Sequence, residues 1–210
     1  FVDEKFNISK LKNLISSSEY SYISDLLKIK DQKKKILIFD INSKKKFILI
    51  SIKQNIKSSE VENLRLVIVG LEEPITDPLS DRSRAILKSN TGIICTGFMD
   101  DIRTSLAASD CLVLASYREG FPNVVMQASC MNIPSIVSNI NGCNEIIQDG
   151  SNGLVVESKS ADDLYYAMKK LESNRRLLSD LAAKSRDSVV EKYDRKKFQK
   201  IILAEYQSLF

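Results

Sequence analysis

Residues 116–128 read SYREGFPNVVMQA and join an apolar strand to the start of a helix. The preceding run, CLVLA at 111–115, is short, apolar and rich in branched residues, which is typical of a strand buried in a parallel sheet. Gly120 breaks this pattern, and Pro122 suits the first helical position, where no N–H is needed. The helix start therefore lies just beyond the carboxyl end of a strand, a place that favours anions and above all phosphate.

Apolar runs alternate with helical stretches along the chain, so the sequence predicts an α/β fold with a doubly wound, Rossmann-like parallel sheet. The predicted strands are 35–40, 65–70, 92–96, 111–115, 134–138 and 153–156. The helices predicted between them are near 47–58, 79–89, 101–108, 122–131 and 143–148. Extra C-terminal helices are predicted at about 160–173, 174–191 and 195–209.

Composition narrows the function classes. A chain of 210 residues suffices for one α/β domain and is too short for two full Rossmann-like domains. The net charge of +4 gives no argument for nucleic acid as a partner. With no histidine, a zinc site or a His-based catalytic triad is excluded, and no metal site is predicted. The 4 cysteines show no C-x-x-C spacing and are expected to be buried free thiols.

The lysines are concentrated in two runs, 33–35 and 44–46. These runs fit a solvated face, and they also fit attraction to an anionic membrane surface, to which each lysine contributes about 1 kcal/mol. The sequence has neither a signal peptide nor an apolar segment of the ~18 residues that a membrane-spanning helix needs. We therefore expect a cytoplasmic protein, with peripheral contact at the inner face of the plasma membrane left open.

Glu119 and Gln127 flank the predicted phosphate site eight residues apart. Together with the residues between them, they resemble the E-G-F-P-N-V-x-x-E-A motif of the C-terminal, donor-binding domain of GT-B glycosyltransferases, in the retaining family 4. Gln127 stands where that family has its second glutamate. The resemblance runs from about Leu64 to Tyr193 and includes LRLVIVG, TGFMDDIR, AASDCLVL, IPSIVSNINGCNEII and DGSNGLVV, in that order.

The resemblance implies a role for each residue of the turn. Glu119 would be the catalytic residue, facing the hydroxyls of the donor sugar close to the reacting carbon. Gly120 and Phe121 would offer backbone N–H groups to the sugar, since glycine allows chain and ligand to approach closely. Asn123 and Val124 would offer the N–H groups of the helix start to the diphosphate.

Four further positions complete the donor site that the resemblance implies. Gln127 replaces a glutamate that usually holds the ribose hydroxyls, so we expect weaker or altered nucleotide binding. Gly97, Phe98 and Met99 would cradle the nucleobase, largely through backbone groups. For the side chains of Phe98 and Met99 an alternative stays open, in which they are buried beneath a glycine turn.

The largest departure from the family follows the first predicted strand. Family members usually have Gly-Arg there and a lysine about five residues on, and the two cations neutralise the diphosphate. Here Asp40 stands at the arginine position, where it would repel phosphate, and Lys45 stands at the lysine position, with Lys44 and Lys46 as near substitutes. We expect Lys45 to contact the diphosphate and the first strand-helix unit to be degraded or shortened.

The resemblance also divides the chain. Residues 1–32 would be an interdomain linker segment, 33–193 a nucleotide-sugar-binding domain, and 194–210 a helix that crosses to an N-terminal acceptor domain missing from this chain. The dipeptides Asn141-Gly142 and Asn152-Gly153 are turn signals and receive no role beyond shape.

The function expected from the resemblance is that of the donor-binding domain of a retaining, metal-independent hexosyltransferase without a cofactor. It would move a sugar from a UDP- or GDP-sugar to a glycan or lipid-linked acceptor in bacterial capsular or lipopolysaccharide synthesis. A non-catalytic nucleotide-sugar-binding or assembly module stays open, because Asp40, Gln127 and the absent acceptor domain favour it. A GT-B sugar-nucleotide epimerase would ordinarily need further acid and base residues, often histidine, which this chain lacks.

Overall fold

A computed structural model describes residues 35–40, 64–70, 81–90 and 92–209. Within these ranges the strands are β1 Lys35–Asp40, β2 Leu64–Val69, β3 Ile93–Gly97, β4 Cys111–Leu114, β5 Ser135–Ser138 and β6 Gly153–Val156. The helices are α1 Asp81–Ser89, α2 Arg103–Ala107, α3 Asn123–Cys130, α4 Cys143–Ile146, α5 Ala161–Ser173, α6 Arg175–Tyr193 and α7 Arg195–Ser208. Each predicted strand is confirmed to within one residue at either end; the helix predicted at 47–58 lies outside the described residues.

The strands form one sheet in the order β3-β2-β1-β4-β5-β6. All neighbouring strands pair in parallel, including β1 with β4, where Phe39 lies opposite Val113. Strand order reverses at this pair, since the chain moves outward from β1 in one direction and then returns to its other side. The doubly wound, Rossmann-like prediction is therefore confirmed, and ligands of such sheets bind beyond the carboxyl ends of the strands at the reversal.

Alternate residues of β2, β4 and β5 enter two separate apolar clusters, one on each face of the sheet. In β4, Cys111 and Val113 face the cluster that includes the inner side of α5. Leu112 and Leu114 face the cluster that includes α3 and α4. All four side chains are buried, which explains why this strand reads as an uninterrupted apolar run.

The cysteine prediction is confirmed in part. All four thiols are free, and Cys111 and Cys143 are buried, but Cys95 is exposed and Cys130 is only partly buried. Burial raises the pKa of the Cys111 thiol. Cys95 departs from the expectation because β3 is the edge strand of the described sheet, where one side of the strand lacks a covering neighbour.

Polar caps define the C-terminal helices. The Ser160 hydroxyl accepts from the Asp163 N–H at 3.2 Å at the start of α5, and Asp194 accepts from the Lys197 N–H at 2.9 Å at the start of α7. α7 buries none of its residues, and its Phe198 is 62% exposed. That α7 crosses to another domain stays a prediction. Among the helices in the described ranges, none is both long and apolar enough to cross a bilayer.

Asn152 joins the turn before β6 to α6, although the sequence suggested only a turn. Its side chain is buried, accepts from the Gln148 N–H at 2.7 Å, and donates to the Ile146 carbonyl at 3.0 Å and the Ser188 hydroxyl at 2.7 Å. Gly153 is the first residue of β6 rather than part of a turn. A Cβ there would overlap the Ser135 carbonyl, so the close approach of β5 requires glycine.

Asn152→Ala is expected to lower the free energy of unfolding by about 3 kcal/mol, because it leaves the partly buried Gln148 N–H and the buried Ile146 carbonyl without the partner that Asn152 provides. Urea denaturation of the 210-residue chain measures this difference. The matched control is Asn144→Ala, which removes an exposed amide and should change stability by less than about 0.5 kcal/mol. Equal losses in the two variants would contradict a structural role for Asn152.

Candidate functional site

The loop after β4 begins with a serine that fixes its shape. The Ser116 side chain is buried, donates to the Arg118 carbonyl at 3.2 Å and accepts from the Arg118 N–H at 3.4 Å. This local pair turns the chain at the end of the strand, so that Glu119 follows beside the reversal in strand order. The residue that the sequence predicts as catalytic therefore lies at the edge of the sheet where ligands bind.

Glu119 is partly buried. No hydrogen bond or ion pair from elsewhere in the described ranges engages its carboxylate. A carboxylate at this depth that has no partner among the described residues can accept hydrogen bonds from a ligand, such as those that the hydroxyls of a sugar donate.

The start of α3 leaves two N–H groups open. The helix begins at Asn123, so Pro122 precedes the helix instead of being its first residue, as was predicted. The Pro122 carbonyl accepts from the Val125 N–H at 3.1 Å. The N–H groups of Asn123 and Val124 have no acceptor among the residues that the structure describes. Both belong to the first turn of an eight-residue helix, where the partial positive charge of the helix dipole favours an anion.

The side chains of α3 divide into two faces. Val125 and Ala128 are buried in the core, whereas Asn123 and Gln127 are exposed. Because Asn123 and Gln127 are four residues apart, they lie on the same face of the helix. The structure thus places Gln127 one turn further along the face that begins with Asn123.

The end of β3 holds the residues predicted to surround a nucleobase. Gly97 has a positive φ of 73°, and its carbonyl accepts from the Gly70 N–H at 2.8 Å, which ties the ends of β2 and β3 together. Phe98 is 62% exposed, so the alternative in which it is buried beneath the turn is wrong. Met99 does pack against the core, and its sulfur accepts from the Ser105 hydroxyl at 3.2 Å.

Gly142, which follows β5, lies against the turn that contains Gly120. A Cβ at Gly142 would overlap the Gly120 carbonyl, and its φ of +79° already favours glycine. The Gly142 N–H donates to a carboxylate oxygen of Glu145 at 3.1 Å. The asparagine-glycine pair at this position predicts a turn, but it does not indicate which other part of the backbone that turn contacts.

Tyr193, the last residue of α6, also contacts this turn, and the sequence did not indicate it as part of the site. Its ring meets the Phe121 ring edge-to-face, with centroids 5.2 Å apart and planes at 70°. Its hydroxyl donates to the Glu145 carbonyl at 3.0 Å. Burial, with a smaller contribution from the charge of Glu145, raises the pKa of Tyr193, so the phenol keeps the proton that it donates.

Lys45 and the side chain of Asp40 lie outside the described residues, so their predicted relation to a diphosphate stays a prediction. The structure brings together Glu119, Gly120, Phe121 and the helix start at Asn123. In the described part of the chain, no group of three or more cysteine or acidic side chains is arranged to hold a metal ion.

The sequence is similar to those of bacterial enzymes. It is 28% identical over 139 residues, 66% of this chain and 35% of the relative, to a UDP-Gal:alpha-D-GlcNAc-diphosphoundecaprenol alpha-1,3-galactosyltransferase from Escherichia coli. It is 22% identical over 148 residues, 70% of this chain and 38% of the relative, to the capsular polysaccharide biosynthesis glycosyltransferase CapM from Staphylococcus aureus. The chain thus spans little more than a third of the length of these relatives.

Two solved structures share the fold. Anabaena HepE in complex with UDP-glucose superposes with a TM-score of 0.70 at 17% identity, over 97% of this chain and 56% of that one. The C-terminal domain of a glycosyl transferase group 1 family protein, LpcC from Francisella tularensis, superposes with a TM-score of 0.60 at 23% identity. That match covers 81% of this chain and 93% of the Francisella chain.

A family model described as glycosyl transferases group 1 matches residues 23–188. The match covers most of the chain and contains the β4 strand, the turn at Gly120 and all of α3. The chain therefore belongs to the glycosyl transferases group 1 family, in agreement with its GT-B-like fold.

Proposed function

We propose that this chain is the donor-binding domain of a retaining glycosyltransferase, which takes a sugar from a UDP- or GDP-sugar without a metal ion. The observation that carries the proposal is the pair of N–H groups at Asn123 and Val124, next to the carboxylate of Glu119, all three without a partner among the residues that the structure describes. An anion site and a hydroxyl acceptor thus lie side by side at the reversal in strand order, as a nucleotide-diphosphate sugar requires.

In this function the helix start binds the diphosphate. As the glycosidic bond breaks, negative charge grows on the leaving phosphate, and the N–H groups of Asn123 and Val124 stabilise it more than they stabilise the substrate. Lys45 would add a positive charge. Glu119 orients the sugar and stabilises positive charge that develops at its reacting carbon.

The remaining donor contacts follow from the neighbouring loops. Gly120 and Phe121 face the sugar, Gln127 faces the ribose, and the loop of Gly97, Phe98 and Met99 faces the base. The exposure of Phe98 supports this last role, because an exposed ring next to the site offers a surface on which a base can stack.

The acceptor we propose is a glycan or a lipid-linked glycan in bacterial surface polysaccharide synthesis. The Escherichia coli relative is named for a diphosphoundecaprenol-linked acceptor, and the Staphylococcus aureus relative for capsular polysaccharide biosynthesis. The acceptor would bind outside the described residues, in a second domain that HepE and these relatives are long enough to contain.

A non-catalytic nucleotide-sugar-binding or assembly module is the second candidate. Gln127 favours it, since an amide at the position of the family's glutamate replaces a charged acceptor of hydrogen bonds with a neutral one. Both candidates require nucleotide binding, and they differ in whether Glu119 acts on a bound sugar.

Nucleotide binding is tested by thermal-shift titration of the chain with UDP, GDP, ADP and CDP in EDTA. One nucleotide at 100 times its dissociation constant should stabilise the fold by about 2.7 kcal/mol, which raises Tm by roughly 5–10 °C for a chain of this size. The same nucleotide should bind Lys45→Ala more weakly. No shift with any of the four would contradict the donor-binding proposal for this chain.

Asn123→Pro isolates the contribution of one backbone N–H. Proline is well accepted at the first position of a helix, so the variant should fold normally yet lose one hydrogen bond to phosphate and bind the nucleotide about tenfold more weakly. The matched control is Asn123→Ala, which removes the side chain and keeps the N–H. Calorimetric titration distinguishes the two, and equal affinities would show that this N–H does not contact the diphosphate.

Gln127→Glu restores the family's carboxylate and should tighten nucleotide binding about tenfold, because a charged oxygen accepts more strongly from the ribose hydroxyls. The gain should disappear with the 2′,3′-dideoxy form of the same nucleotide, and Gln127→Ala should not produce it. A gain that persists with the dideoxy nucleotide would place the contact elsewhere.

A further inference from the structure

Three residues outside the stretch 116–128 close a ring of contacts around the turn of Gly120 and Phe121. They are Gly142, Glu145 and Tyr193, and they come from the loop after β5, from α4 and from the end of α6. Two of the contacts are hydrogen bonds, one is an aromatic pair and one is a backbone approach. Two of the contacts reach the turn itself: Tyr193 contacts Phe121, and Gly142 contacts Gly120.

The first contact in this ring of contacts is an aromatic pair. Tyr193 meets Phe121 edge-to-face at 5.2 Å, an arrangement that aromatic quadrupoles favour. The Phe121 side chain is 40% exposed, so Tyr193 covers only part of the Phe121 aromatic ring.

The next two contacts are hydrogen bonds that Glu145 accepts. Its carbonyl accepts from the Tyr193 hydroxyl at 3.0 Å, and its carboxylate accepts from the Gly142 N–H at 3.1 Å. One residue thereby joins the end of α6 to the loop after β5. The loop cannot shift along the sheet edge without breaking one of these bonds.

The ring closes where Gly142 lies against Gly120. Because even a single added methyl group at Gly142 would overlap the Gly120 carbonyl, the two backbones are in direct contact. Gly120 therefore cannot move closer to Gly142, and Tyr193 contacts the side chain of the next residue, Phe121.

We propose that Tyr193, Glu145 and Gly142 form a clamp that holds the turn of Gly120 and Phe121 in the geometry in which it binds a nucleotide sugar. These three are positioning residues, since they act through the turn. The inference rests on the proposed function for its ligand, while the clamp itself rests only on the contacts above.

The clamp is tested with three variants. Tyr193→Leu removes both the aromatic pair and the hydroxyl, and Tyr193→Phe removes the hydroxyl alone. The matched control is Tyr166→Leu, since Tyr166 is a 67% exposed tyrosine on α5. The first readout is the set of 15N order parameters of Gly120 and Phe121 in the nucleotide-free chain; the second is the dissociation constant of the nucleotide that stabilises the wild-type chain.

We expect order parameters near 0.85 in the wild type and the control, and below about 0.6 in Tyr193→Leu. Tyr193→Leu should bind the nucleotide about two- to tenfold more weakly, as for the loss of an aromatic pair. Tyr193→Phe should lie between it and the wild type in both readouts. If Tyr193→Leu is too unstable to measure, Glu145→Ala replaces it, because it removes the acceptor of the Gly142 N–H.

Order parameters that stay at the wild-type value in Tyr193→Leu would overturn the clamp. A loss of order with unchanged affinity would overturn its role in binding. Should the wild-type chain bind none of the nucleotides, the proposed function fails by that result, and the order parameters alone decide whether the clamp holds the turn.

Discussion

Parallel pairing is the constraint on which the site depends, because it brings every carboxyl end of the sheet to one edge. β4 and β5 are hydrogen-bonded neighbours, and neighbouring strands are only about 4.8 Å apart. The loops that follow them must therefore share a narrow space. Gly120 and Gly142 are the residues that meet there, and the absence of a side chain at Gly142 is what allows the two loops to lie in contact.

The helix α6 connects that edge to the rest of the fold through polar contacts along its length. Ser185 donates to the Asn152 carbonyl at 3.0 Å near the turn before β6. The guanidinium of the next residue, Arg186, donates to the Cys130 carbonyl at 2.6 Å, at the end of α3. Tyr193 then contacts the turn that precedes α3. A single helix thus fixes both ends of α3, and rotation of α3 about the sheet would break contacts at each end.

The features that could be predicted from the sequence are those that a local pattern of residues encodes. β4 was predictable because burial on both faces leaves an uninterrupted apolar run, and the turn and helix start were predictable because glycine and proline act through their own backbone. Asn152 lies in a turn, as predicted, but the dipeptide gave no indication of the hydrogen bonds that its buried side chain makes to Gln148, Ile146 and Ser188. Tyr193 lies 72 residues after Phe121 in the chain, and no pattern within either segment indicates that the topology brings them together.

In the proposed function, backbone groups bind the phosphates and side chains bind the ribose, and this separation would let the site tolerate glutamine at position 127. In the proposed function, phosphate binding by the N–H groups of Asn123 and Val124 depends on where the backbone lies, and among substitutions that preserve the helix only one to proline removes such an N–H. Recognition of ribose would instead depend on side chains such as Gln127, which a single substitution can change. In the proposed function, selection therefore acts on the position of the turn more strongly than on the identity of each contact. Residues that hold the turn, such as Tyr193, can then matter to binding as much as residues that touch the ligand.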